Sequence, residues 1–196
     1  HFPGGLGDFL DEKLDGMPLI TKDAFKGEAD LADGKGRVEW AISWPADIDG
    51  FVRSYCNTVS TPDGGTHETG LKSMLTKAVK SYGEMVGNKK ISQLTGDDVT
   101  GSAYILLSVF IKDPQFQGQT KDKLVSSEAS KLVENAMRDH FDHWLSGDAT
   151  QGQNLLEFIV ERAEARLRRK KQKDTARKSI TSRLRLPGKL ADFVTV

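Results

Sequence analysis

"AYILLSVFI", residues 103–111, is apolar apart from the hydroxyls of Tyr104 and Ser108. A continuous run of this kind, rich in Ile, Leu and Val and closed by Lys112-Asp113-Pro114, predicts a strand inside a covered sheet. On its N-terminal side two shorter stretches alternate instead. "RVEWAISW" (37–44) places Val38, Trp40, Ile42 and Trp44 on one face, and "FVRSYCNTV" (51–59) repeats the alternation after the turn "PADIDG" (45–50). Period two marks half-buried strands, and the short connection predicts an antiparallel hairpin between them.

Elsewhere the period is helical. Leu71, Met74, Leu75, Ala78, Val79, Tyr82, Met85 and Val86 form one stripe of a helix that starts at Thr66, its N-cap, and stops at Gly87-Asn88. A second stripe, Ala129, Leu132, Val133, Ala136, Met137, Phe141, Trp144 and Leu145, starts near Ser127, whose hydroxyl can cap it, and closes at Gly147-Asp148. A third helix is expected from about Asn154. It loses its apolar side along "RLRRKKQKDTARK" (166–178) until "RLPGKL" (185–190) breaks it. Before the strands, Phe2, Leu6, Phe9, Leu10 and Leu14 suit a short helix over 6–14, and "ADLADGKG" (29–36) reads as a surface loop. The result is an α/β layer, a sheet with helices on one face and a long projecting C-terminal helix. Its divisions are a core over 1–150, a basic helix over 151–186 and the start of a linker over 187–196.

The 28 basic and 28 acidic residues cancel, which excludes a generally cationic protein. The balance hides an asymmetry, because the chain is strongly basic from Arg162 to Lys189 and leans acidic before Lys35. One cysteine, Cys56, rules out an internal disulfide framework and fits a reducing, cytoplasmic compartment as a small buried hydrophobe. A nucleophilic role would need His67 as its base. No apolar run approaches the ~20 residues of a membrane span, and no signal peptide opens the chain. The sequence starts at His1 without a methionine, as an excised fragment does.

Few motifs carry chemistry. In "QFQGQTKDKL" (115–124), Lys121 stands in a polar loop that is either a solvated connection or the carrier of a cation for a phosphate. The glycine pair of "TPDGGTHETG" (61–70) either cradles a phosphate at a helix start or makes a tight turn, and the turn is the simpler reading. His67 could serve as ligand or base. His140 and His143 stand three apart on a helix with no third ligand, so no metal site is expected. Asp97 and Asp98 of "TGDDV" (95–99) suit a helix cap better than paired acid–base catalysis. No P-loop, dinucleotide fingerprint or nucleophile elbow occurs. The basic run is either a solvated face or a contact for DNA backbone, and with few aromatics it does not predict base stacking.

The series "YCNTVSTPDGGTHETGL" (55–71), "TGDDV", "DPQFQGQTKDKL" (113–124) and "LPGKLAD" (186–192) resembles the ATPase subunits of the bacterial type II topoisomerases, the B subunits of gyrase and of topoisomerase IV. "VEWAISW" with its short turn, "FPGGLGDFL" (2–10) and "MPLI" (17–20) lean toward the topoisomerase IV branch, with the gyrase branch as the alternative. The resemblance implies a transducer domain between a GHKL nucleotide-binding domain and a TOPRIM domain, of ribosomal-protein-like α/β fold with a left-handed βαβ crossover. It implies that Gln119 and Lys121 contact the γ-phosphate of ATP, with Lys121 catalytic in hydrolysis and magnesium bound with the nucleotide elsewhere in the parent. It also implies duplex DNA and the topoisomerase A subunit, in a heterotetramer, as partners. Arg168, Arg169, Lys170 and Lys171 would then face DNA. The chain alone is expected to be catalytically silent, because the nucleotide pocket and the TOPRIM acidic cluster do not occur in it. Two departures stand out: "TGS" (100–102) replaces a basic-acidic-glycine sequence, and "FVTV" (193–196) follows "KLAD" where the family has cysteine. A free-standing module that binds nucleic acid through the basic helix is the reading from another class. A transducer of mismatch-repair or chaperone type is disfavoured by "DGGTH", "QTKDKL" and "LPGKLAD".

Overall fold

The computed structural model describes residues 5–46 and 49–183, with side chains as far as 177. The covered strand predicted at 103–111 is β5 (Tyr104–Ile111), and it occupies the centre of a five-stranded sheet. On one side it pairs antiparallel with β2 (Gly36–Ser43), from Tyr104 opposite Ser43 to Ile111 opposite Gly36. On the other it pairs parallel with β3 (Phe51–Cys56), from Tyr104 opposite Phe51 to Val109 opposite Cys56. The expected β2–β3 hairpin is therefore wrong: β5 lies between the two. Alternation fixes which face of a strand is buried but not its neighbour. The strand with no polar face to spare takes the centre. The tight hairpin belongs instead to β3 and β4 (Val59–Ser60). Its turn residues Asn57 and Thr58 have φ of 49° and 67°, as the turn that matches strand twist requires.

The expected loop at 29–36 is also half strand. β1 (Phe25–Leu31) pairs in full register with β2, Phe25 opposite Ile42 and Leu31 opposite Gly36, and the turn is confined to 32–35. Gly27 stands in this edge strand because the Trp40 ring fills the place of a side chain: a Cβ there would sit 2.7 Å from Cζ2.

Two long helices, α2 (Thr66–Met85) and α4 (Ser127–Gly147), pack with the first half of α5 (Ala149–Arg183) on the face that carries Val38, Trp40, Ile42, Ile105, Leu107 and Val109. The short α1 (Gly5–Leu14) sits on the reverse face, where Leu10 and Leu14 cover Ala41 and Leu106. That cover buries both faces of β2 beyond Trp40. β3 and β5 are joined by a crossover through α2 and the short α3 (Gly96–Thr100). α2 and α4 run side by side in the same direction. Gly70 meets the backbone of Ser130, and Ser73 and Lys77 both bond Glu134 at 3.1 and 2.6 Å.

Several boundaries differ from expectation. Gly65, not Thr66, is the N-cap of α2. The cap of α4 is Ser126 and not Ser127, and its hydroxyl accepts from Gln115 N at 2.8 Å. α5 begins at Ala149 and not near Asn154, because Asp148 Oδ1 accepts from the amides of Thr150 and Gln151 at 2.9 and 3.1 Å. Met85 and Val86, placed on the buried stripe, are exposed, since the stripe ends with Tyr82 and Gly83. α5 buries Leu155, Leu156, Ile159, Val160 and Ala163, and from Arg168 to Arg177 its side chains are exposed. Phe2, the break "RLPGKL", the expected linker and the tail Phe193–Val196 lie outside the described residues.

Candidate functional site

β5 delivers the chain to a small hairpin. Its last residue, Ile111, is clasped by Asn57, whose carboxamide accepts from Ile111 N and donates to Ile111 O, both at 2.9 Å. After Asp113, at φ 50°, and Pro114, β6 (Phe116–Gln117) pairs antiparallel with β7 (Lys123–Leu124). The stretch "QFQGQTKDKL" is thus a two-stranded hairpin whose tip is residues 118–122. Gly118 and Lys121 both turn at positive φ, 75° and 59°. Gln119, Thr120 and Lys121 are exposed at this tip. Lys121 Nζ lies 5.9 Å from the centre of the Phe116 ring, and among the described residues no carboxylate pairs with it. A lysine in the left-handed region costs about 1 kcal/mol relative to ordinary backbone, so the hairpin base must hold this shape. Asp63 N donates to Asp122 O at 2.9 Å, Leu124 N to Gly64 O at 3.0 Å and Val125 N to Gln115 O at 2.8 Å.

The glycine pair is a tight turn rather than a phosphate cradle. Gly64 N donates to Thr61 O at 2.8 Å and Asp63 N to the hairpin, so two of the turn's amides are already used within the protein. Behind the turn stands a polar cluster. Ser54 Oγ donates to Glu68 Oε1 at 2.7 Å and lies 2.6 Å from Thr61 Oγ1, which lies 3.2 Å from His67 Nε2. His67 is fully buried, and burial depresses its pKa to about 4, so the imidazole is neutral. Its partner is Thr61. Cys56, fully buried with its thiol pushed up by burial to about 11, is the small hydrophobe expected of it. His140 packs edge-on against Trp40. Among the described residues no cluster of three His, Cys, Asp or Glu could hold a metal.

Asp98 caps α3 through Thr95, as expected for "TGDDV", but it also has a distant partner that sequence reading missed. Arg166 on α5 donates to both of its oxygens. Burial raises the Asp98 pKa, and the hydrogen bonds from Arg166 and Thr95 outweigh burial and hold it below the ordinary carboxylate value. Beside this pair an open groove of about 630 Å³ runs between α3 and α5, lined by Arg162, Arg166, Arg169, Lys170 and Lys173 with Asp97 opposite. Of the four cations singled out on the arm, Arg169 and Lys170 line the groove, and Arg168 and Lys171 project elsewhere on the helix. No residue of the Lys121 hairpin lines it, so the two candidate sites are separate. No helix among the described residues is long and apolar enough to cross a membrane.

The family model for DNA gyrase B matches residues 5–175. The B subunit of DNA topoisomerase 4 from Caulobacter vibrioides is 52% identical over 196 residues, covering 98% of this chain and 28% of that protein. The B subunit of DNA gyrase from Mycobacterium tuberculosis is 36% identical over 198 residues, covering 98% of this chain and 29% of that protein. In structure the chain is similar to the topoisomerase IV ATP binding domain of Francisella tularensis, solved with a small-molecule inhibitor. The TM-score is 0.72 at 30% identity, over 85% of this chain and 44% of that one. The chain thus spans under a third of the length of the curated relatives it matches.

Proposed function

The chain belongs to the DNA gyrase B family, and on that premise we propose that it is the transducer segment of the B subunit of an ATP-dependent type II DNA topoisomerase, of the topoisomerase IV branch. The higher identity to the topoisomerase 4 relative supports the branch. The observation that carries the reading is Lys121. An ammonium held at a strained, exposed hairpin tip, with no carboxylate partner among the described residues, is kept for an anion that the rest of this chain does not supply.

In the parent protein that anion is the γ-phosphate of ATP, bound by a preceding nucleotide-binding domain. Bound ATP supplies the phosphoryl group to be transferred to water. Lys121 places its charge against a γ-phosphate oxygen and stabilises the charge that develops there, and Gln119 adds a neutral hydrogen bond. A magnesium ion that accompanies the nucleotide finds no ligand set among the described residues of this chain. The interaction exists with ATP and is absent with ADP, and a charge-assisted bond of about 1.5–3 kcal/mol is enough to bias a rotation between domains. The body of the chain ahead of α5 turns as a unit, and α5 carries the turn toward a TOPRIM domain and the DNA-cleaving A subunit. Arg168, Arg169, Lys170 and Lys171 then face duplex DNA during strand passage in the cytoplasm.

The test is Lys121→Ala in the full-length protein assembled with its A subunit. Turnover falls by about 10³-fold or more while nucleotide affinity changes little. Parental turnover in that variant sinks the reading.

A further inference from the structure

We infer that the turn Asp63–Gly65 is a positioning element for Lys121, with Gly65 as its critical residue; the inference rests on the reading of Lys121 given above. Lys121 stands in a five-residue tip, and a tip of that length, exposed from Gly118 to Lys121 and with one lysine at positive φ, does not fix its own direction. The fixing comes from outside it. Asp63 N bonds the carbonyl of Asp122, the residue next to Lys121, and Gly64 O accepts from Leu124 N two residues further on. Gly65 and Leu124 form a parallel bridge.

The approach is so close that no side chain fits. A Cβ on Gly65 would lie 2.2 Å from Leu124 O and 2.7 Å from Leu124 N, and at φ 144° an L-residue is strained whatever the space. Rigid matter backs the turn. The Glu68 carboxylate covers Gly64, 2.8 Å from where its Cβ would stand, and is held by Ser54. Thr69 N donates to Gly65 O at 3.1 Å in the first turn of α2. α2 in turn meets α4 backbone to backbone, since a Cβ on Gly70 would lie 2.1 Å from Ser130 O. The direction of Lys121 is therefore set by the N-terminus of α2 through Gly65. Gly65 has no side chain and its carbonyl is taken by Thr69 N, so its effect on hydrolysis is indirect.

The experiment places Gly65→Ala in the full-length protein with its A subunit, beside Lys121→Ala and the double variant. Turnover and nucleotide affinity are measured on each preparation. Amide exchange at Leu124 is read in the present chain. The methyl forces β7 away from α2, so the Leu124 amide loses protection while amides at Met74 and Val133 keep theirs. A displacement of about 1 Å costs about 10²-fold in turnover, with nucleotide affinity within about threefold of the parent. Gly65→Ala adds nothing once Lys121 is already alanine, a non-additivity that a general loss of fold does not produce.

Parental turnover of Gly65→Ala beside a collapsed Lys121→Ala overturns the inference and leaves the reading of Lys121 intact. So does full additivity of the two changes. Parental turnover of Lys121→Ala overturns the reading, and the inference with it. Should Gly65→Ala fail to fold, Asp63→Pro removes the amide that holds Asp122 O together with the Asp63 carboxylate, and Asp63→Ala, which keeps the amide, is its control. The same pattern is then expected at about tenfold, and unchanged turnover in that variant counts against the inference.

Discussion

Arg166 grips Asp98 with both arms of its guanidinium, Nε to Oδ1 and Nη2 to Oδ2, each at 2.9 Å, and Nη2 also donates to Gln93 O. With the ion pair of Lys90 and Glu164 two residues earlier on the helix, this is where α5 is last tied to the body before its exposed stretch from Arg168 to Arg177. A planar fork that fits a buried carboxylate on two bonds is not replaced by a point charge.

The Asp98 carboxyl has a depressed pKa in the fold, so its stabilising contribution is present above the unfolded carboxylate pKa and is lost as pH falls through the lower, folded value. Asp98→Asn should lower the Tm of this chain at neutral pH by about 2–4 °C, and the gap to the parent should close in acid. Thermal unfolding of both proteins across that range checks this. A gap that persists at the acid end of that range, where the carboxyl is protonated in both states, assigns the loss to something other than charge.

His67 gives the opposite kind of titration. It is neutral and buried with a folded pKa of about 4, and the unfolded chain takes up its proton near the ordinary histidine value. Between those two values the unfolded state binds the extra proton, so stability rises with pH and is lost as pH falls, by at most about 3 kcal/mol. Urea midpoints measured from about pH 7 to about pH 4 should show this slope, and His67→Gln should flatten it. An unchanged slope in the variant moves the titration to another group.

What was legible in the sequence was whatever a one-dimensional period records. The stripes of α2 and α4 and the continuous apolar run of β5 each report how an element is buried, and the structure keeps them apart from Met85 and Val86 at the end of α2. β1 was not legible because its inner face carries little apolar bulk: Lys26, Glu28 and Asp30 keep the alternation, but Gly27 yields its place to a ring from the next strand and Ala29 is small. The order of strands was not legible because alternation does not name a neighbour. The hairpin tip announced itself as polar, and its lysine was picked out. What holds it, the Asn57 carboxamide on Ile111 and the Gly65 backbone on Leu124, joins stretches far apart in the chain. The glycine pair reads as a tight turn, and only the fold shows that the hairpin packs against it. Arg166 looked like one more cation in a basic run.

The exposed arm should bind duplex DNA without sequence preference. Replacing Arg168, Arg169, Lys170 and Lys171 with Gln should reduce the salt slope of binding by about 0.9 for each phosphate no longer neutralised. Restoring only Arg169 and Lys170, the two that line the groove with Arg166, should recover most of it. A titration in which all four replacements leave affinity unchanged makes the arm a lever and nothing more.

The backbone at Lys121 separates its function from its fit. At φ 59° a purely structural hairpin tip is better served by glycine, which enters the left-handed region without the cost of a Cβ, and Gly118 already does so in the same tip. Lysine there is a choice against local stability. Lys121→Gly should therefore hold or raise the stability of this chain, by up to about 1 kcal/mol after the larger unfolded-state entropy of glycine is subtracted. Lys121→Ala keeps the strain and should gain nothing. Both remove the cation, so both should abolish ATP turnover in the full-length protein to the same degree. Lys121→Arg keeps charge and strain together, yet its planar fork does not reproduce a compact ammonium against one phosphate oxygen, and turnover should stay low. Denaturant midpoints on the chain and turnover on the assembled enzyme give two rankings of the same three variants. If the rankings coincide, Lys121 acts through the shape of the hairpin; if stability improves in Lys121→Gly while turnover is lost in all three, the lysine is there for its charge.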